Sequence, residues 1–133
     1  MRLNSKMVFL AVSLTFLVLF LSPPTASCAE PVSARLYQSG GTTTFIELTL
    51  APPAPPTLIV EIKLPSNVRV IKSVPEFSKQ NSNTLKWLLK NVTGSSYKIQ
   101  LVTGSKLDLD SSPVYIRYRD NNSGSIREVQ ADR

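Results

Sequence analysis

The chain has 133 residues, with 15 basic and 9 acidic side chains, a formal charge of +6, and no histidine. The absence of histidine excludes Ser-His-Asp and Cys-His catalysis and removes the commonest metal ligand in proteins. No glycine-rich phosphate-binding motif is present, so the composition favours a non-enzymatic protein that needs no cofactor.

The first segment, residues 1–29, has the three parts of a secretory signal. Arg2 and Lys6 precede an apolar run, Met7–Leu21, and small residues follow it. The run is shorter than the ~20 residues that span a membrane, and prolines end it. We therefore predict cleavage after Cys28 or Ala29 and a periplasmic, cell-surface or extracellular protein. A retained membrane anchor is the alternative. Loss of Arg2 and Lys6 lowers Lys+Arg from 15 to 13 against 9 acids, a net charge of +4.

Cys28 is the only cysteine, so the domain has no internal disulfide. A secreted eukaryotic domain of this size often carries disulfides, and their absence favours a bacterial or archaeal source. The segment Thr25–Cys28 resembles the bacterial lipobox, with Thr25 in place of the usual Leu. This resemblance implies lipidation of Cys28. The cleaved protein would be attached to a membrane only if it carried this lipid. The alternative is that Cys28 is discarded or idle.

From residue 30 onward the apolar residues recur with a period of two, which is typical of half-buried strands. No sustained helical stripe is present. Eight strands are predicted, separated by turns rich in Gly, Asn and Pro: Val32–Gln38, Thr42–Leu50, Thr57–Leu64, Val68–Val74, Thr84–Lys90, 97–101, Val114–Arg119 and Ser125–Gln130. The proline-rich segment, residues 51–56, is interpreted as a stiff connection between sheets; a docking motif for a proline-reading module is the alternative.

These features predict a two-sheet antiparallel β-sandwich of about seven to eight strands in residues 30–133. Its core is expected around Trp87. The inward-facing residues form the predicted core: Leu58, Val60, Ile62, Leu85, Trp87, Leu89, Tyr97, Ile99, Leu101, Val114, Ile116 and Tyr118.

Candidate sites are few. Asp108 and Asp110 would share a face on a strand and are weak candidates for Ca²⁺ or acid–base chemistry; solvated charges at a sheet edge are the simpler interpretation.

Arg117, Arg119 and Arg127 would form a patch for an anionic partner if their hairpin is in register. Asn91 and Asn121 begin Asn-x-Ser/Thr sequons in predicted turns, where a glycan would be accessible.

Three segments carry a resemblance to a known family. The run Leu64–Val70, with Thr84–Gly94 and Tyr97–Ile99, resembles the immunoglobulin-like repeat domains of prokaryotic secreted and surface proteins, over about residues 58–103. Asn67 stands where glycine is usual, and Thr93 replaces a proline. Cohesin-like sandwiches share this strand pattern. The resemblance implies an immunoglobulin-like sandwich with an adhesive, spacer or assembly role.

The sequence thus predicts a non-catalytic structural or interaction module, a surface or envelope assembly subunit. Its partner would be a copy of itself or a larger envelope or surface protein. The terminal strands Val32–Gln38 and Ser125–Gln130 are the expected contact elements, because terminal strands commonly lie at sheet edges. The alternative is a binding module for anionic or carbohydrate polymers, with Tyr37 and Tyr115 as exposed aromatics. A small hydrolase using Asp108 and Asp110 is a third hypothesis, and no nucleic-acid partner is expected.

Overall fold

The computed structural model describes residues 30–133, so the predicted signal at 1–29 and Cys28 lie outside the described residues. Nine strands and no helix are found there: β1 (Val32–Gln38), β2 (Thr43–Leu50), β3 (Thr57–Lys63), β4 (Val70–Val74), β5 (Lys79–Asn81), β6 (Thr84–Lys90), β7 (Ser96–Thr103), β8 (Val114–Arg119) and β9 (Ile126–Gln130). The prediction of an all-β fold is confirmed.

The strands form two antiparallel sheets. The four-stranded sheet has the order β1-β2-β7-β4, and the five-stranded sheet has the order β5-β6-β3-β8-β9. The proline-rich segment joins β2 to β3 and therefore crosses between the sheets, as predicted. It cannot continue a paired strand because proline lacks the N–H that a ladder requires.

The core lies between the two sheets and follows the predicted alternation. Trp87 is only 1% exposed, and the inward residues of β3, β6 and β8 surround it. One predicted core residue, Tyr97, is only half-buried because it stands near the start of β7, where the sheet ends.

The strand β1 lies at the edge of its sheet, but the chain beyond β9 returns to it. The amide of Leu36 donates to the carbonyl of Asp132 at 2.6 Å, and the amide of Asp132 donates to Ala34 at 2.8 Å. This short parallel bridge joins the two sheets on the β1–β9 side. β1 consequently offers less of a free edge than its terminal position suggested.

Candidate functional site

The opposite side of the sandwich, between β4 and β5, is open in the described part of the chain. β4 pairs only with β7 there, and β5 pairs only with β6. A cleft of about 740 Å³ separates the two strands. Its walls combine four apolar side chains with five polar ones: Val68, Val70, Ile71 and Phe77, with Arg69, Lys72, Ser73, Glu76 and Gln80.

β4 is held against the core by a hydrogen-bonded cluster. The indole Nε1 of Trp87 donates to Ser73 Oγ at 3.0 Å and to the carbonyl of Pro75 at 3.1 Å. Ser73 Oγ also donates to the Pro75 carbonyl at 2.6 Å. The most deeply buried aromatic of the core therefore fixes the position of an edge strand.

The outer surface of β4 is apolar for an edge strand. Ile71 is 59% exposed and Val74 is 47% exposed. Ile71 occupies an irregularity in the register with β7, where Val70 pairs with Thr103 and Lys72 with Val102. Such bulges are common on edge strands and limit indiscriminate pairing. Every second residue of β4 still directs its N–H and C=O away from β7.

The β4 edge also carries positive charge. Arg69 and Lys72 make no salt bridge with any residue in the described range, whereas Glu76 is the one acidic side chain that lines the cleft. An edge that combines unpaired backbone groups, apolar side chains and free cations can accept an extended chain with acidic and apolar residues.

The three predicted patch arginines divide between two faces. Arg117 and Arg119 lie on the outer face of the five-stranded sheet. Arg127 pairs with the inward residue Tyr118, so it points to the other side, where its Nε lies 2.9 Å from Asp120 Oδ2. The hydrogen bonds that this carboxylate accepts, first from the amide of Asn122, lower the pKa of Asp120.

Arg117 is engaged within its own face. Its Nε lies 2.6 Å from Glu128 Oε2, and this hydrogen bond raises the pKa of Arg117. Glu61 is buried between Lys86 Nζ at 3.1 Å and a second nitrogen of Arg117 at 3.9 Å. Arg119 has no carboxylate partner in the described residues and donates to the carbonyl of Gly124 at 3.1 Å.

The predicted acidic pair does not stand on a strand. Asp108 and Asp110 lie in the loop between β7 and β8. Asp108 accepts hydrogen bonds from the Ser111 hydroxyl and the Asp110 amide, and these lower its pKa. Asp110 instead faces Arg133, whose Nη1 is 3.4 Å from its Oδ1. No group of three or more potential metal-ligating side chains occurs within residues 30–133.

The two candidate aromatics are half-buried on opposite outer faces. Tyr37 stacks on Phe45 with ring centroids 5.4 Å apart, and Lys98 Nζ lies 5.7 Å from the Tyr37 ring. The neighbouring Tyr37 side chain raises the pKa of Lys98. Tyr115 lies on the five-stranded sheet with Lys63 Nζ 5.7 Å from its ring.

The two sequon asparagines are exposed in turns, as expected from the sequence. Asn91 follows β6 with a φ of 52°, a left-handed conformation that asparagine tolerates. Asn121 begins the turn between β8 and β9. Both side chains therefore lie where a modifying enzyme would have access.

The β4–β5 cleft was not predicted from the sequence. It arises from strand order, which places two segments from different sheets on one side of the sandwich. The one local signal was the adjacent apolar pair Val70 and Ile71, which breaks the alternation expected of a strand. Residues 30–133 contain no helix long and apolar enough to cross a membrane.

Comparison with known proteins yields structural similarity only. No family model matches the chain, and no curated protein is significantly similar to it in sequence. One similar solved structure is ChBD2 from Thermococcus kodakarensis KOD1, with 14% identity and a TM-score of 0.44 over 72% of this chain and 91% of that one. Another is the Reelin-N domain of F-spondin, with 11% identity and a TM-score of 0.37 over 82% of this chain and 92% of that one. Both similarities concern the β-sandwich fold alone.

Proposed function

We propose that this protein is a non-catalytic interaction module that binds an extended segment of another protein along β4. The observation that carries the proposal is the pair of exposed apolar side chains, Ile71 and Val74, on a strand that has one open edge in the described chain. Strand addition satisfies the outward N–H and C=O groups, and neighbouring side chains supply the selectivity.

The partner segment belongs to a different protein rather than to a second copy. β4 is five residues long with Lys72 at its centre. A symmetric antiparallel pair of β4 strands, joined over the full length of β4, would place Lys72 directly opposite its equivalent, and like charges in that position are destabilising. An acidic residue in the partner strand, opposite Lys72, would instead form a favourable pair.

The module is proposed to act outside the cytoplasm, as a subunit of a surface or envelope assembly. The support is the secretory pattern of residues 1–29, with its basic start, apolar core and small residues. Membership of the immunoglobulin-like repeat family is likewise a proposal, supported by the motifs within residues 58–103.

The test compares two variants with the same charge change at similarly exposed isoleucines. Ile71→Glu alters the β4 edge, and Ile126→Glu alters β9, where Ile126 is 69% exposed. The tagged chain, produced in its exporting host, is used to isolate partners from the envelope fraction. A specific partner should be retained by wild type and by Ile126→Glu, and lost by Ile71→Glu.

Sedimentation of the purified protein complements this test. We expect the purified protein to be a monomer, because Lys72 opposes symmetric pairing of two β4 strands. A partner retained equally by both variants would contradict binding at β4. A dimer that Ile71→Glu dissociates would show that the second chain is another copy.

A further inference from the structure

The five-stranded sheet has an outer face on which the positive charge of the domain is concentrated. Strand register places six basic side chains on it, against only two acidic ones, Glu61 and Glu128. The six are spread over four strands: Lys63, Lys79, Lys86, Lys90, Arg117 and Arg119. Residues 30–133 contain 13 basic and 9 acidic side chains, so this face accounts for the entire net charge of +4. The remaining surface, with seven of each, is neutral.

Four basic side chains of this face, called its free cations here, take no part in the salt bridges of the described residues. Glu61 and Glu128 are occupied by Lys86 and Arg117 at the centre of the face. The other four basic side chains form no salt bridge with any residue of the described range: Lys63, Lys79, Lys90 and Arg119.

The spacing of the free cations fits an extended ligand. Lys79 on β5 and Arg119 on β8 lie three strand spacings apart across the sheet, about 14 Å, and four residues apart along the strands, about 13 Å. Lys63 pairs with Thr84, and Lys90 lies six residues along β6, about 20 Å away. No small anion reaches across such distances, whereas a chain bearing repeated negative charges contacts several of these cations at once.

We infer that this face binds an anionic polysaccharide. Tyr115 lies half-buried on this face with Lys63 Nζ over its ring, 5.7 Å from the centroid, so an aromatic side chain for contact with a sugar and a cation for its carboxylate stand together. A membrane surface fits less well, because the exposed apolar side chains of the face, Leu88 and Ile126, are on β6 and β9 with two strands between them. They form no continuous patch for insertion into lipid.

The probe is polygalacturonate, a polymer of uronic acid. It is titrated into the protein purified from the host that exports it. The face variant Lys79→Gln with Lys90→Gln removes two free cations. The matched control, Arg35→Gln with Lys106→Gln, removes two exposed cations that also lack a salt bridge in the described chain but lie elsewhere. Both variants lower the net charge by two, and far-UV circular dichroism checks that both remain folded.

We expect wild type to bind at low ionic strength, with an affinity that falls as salt is added. The face variant should weaken binding about tenfold, and the control less than about threefold. Equal losses in the two variants would overturn the inference, because they would indicate a response to net charge alone. Absence of binding at about 0.05 M salt would also overturn it. So would tighter binding to phosphatidylserine vesicles than to the polymer, lost in the same face variant.

Discussion

Trp87 fixes both the core and the β4 edge, and its truncation is the sharpest test of the packing. The side chain is 1% exposed and donates to Ser73 and to the Pro75 carbonyl. Removing a buried aromatic costs about 3–5 kcal/mol through lost burial and the remaining cavity. We place Trp87→Ala in the upper half of this range, because it also removes two hydrogen bonds, one to the buried Ser73 hydroxyl and one to the part-buried Pro75 carbonyl.

Two companion variants divide this cost. Trp87→Phe keeps an aromatic ring but loses the N–H, so about 1–2 kcal/mol should be lost. Leu88→Ala is the control, because Leu88 is adjacent in β6, faces outward and is 43% exposed; it should cost less than about 1 kcal/mol.

Urea unfolding followed by far-UV circular dichroism measures these differences. Fluorescence is unsuitable, since Trp87 is the only tryptophan. A small domain has about 5–15 kcal/mol of stability, so Trp87→Ala should bring it close to unfolding. A loss below about 1 kcal/mol with an unchanged m-value would refute the proposed packing.

Three further predictions concern single residues. The pKa of Asp120 is lowered in the folded state, so the stability that its carboxylate contributes is present above its ordinary pKa of about 3.9 and is lost as pH falls through the folded pKa. Asp120→Asn should therefore flatten the plot of unfolding free energy against pH below about pH 4. An unchanged acid transition in this variant would count against the assignment. Gly124 has a φ of 69° and open space around it, so Gly124→Ala should cost about 1 kcal/mol in thermal unfolding through backbone strain alone; a stabilised variant would disprove this. Glu61→Gln should release Lys86, while Arg117 stays paired with Glu128, and should tighten polygalacturonate binding; weaker binding would contradict the inferred role of the face.

The core was predictable because alternation along a strand is a local property. The inward residues of β3, β6 and β8 could be assigned from period-two patterns, which also placed Trp87 at the centre. β5 could not be predicted in this way. Lys79, Gln80 and Asn81 are all exposed, and they form a strand only because β6 provides a partner.

The positions of the surface side chains and of the cleft depend on strand register and strand order. The period-two pattern of apolar residues carries no information on either. Arg127 is an example, because the β8–β9 turn places it opposite Tyr118 and away from Arg119. Asp108 and Asp110 lie in a loop, where the alternation rule has no meaning. Predicting the β4–β5 cleft would require knowing which strands lie at the edge of each sheet. Only the adjacent apolar residues Val70 and Ile71 hinted at an unusual edge.

Hydrogen exchange of the β4 amides measures directly whether β4 accepts an extended partner strand. The protein is measured alone and with the partner isolated on the wild-type chain. We expect the outward amides within Val70–Val74 to become protected on binding, and the amides of the edge strand β9 not to change. Protection confined to β9 or to the outer face of the five-stranded sheet, with β4 unchanged, would contradict this expectation.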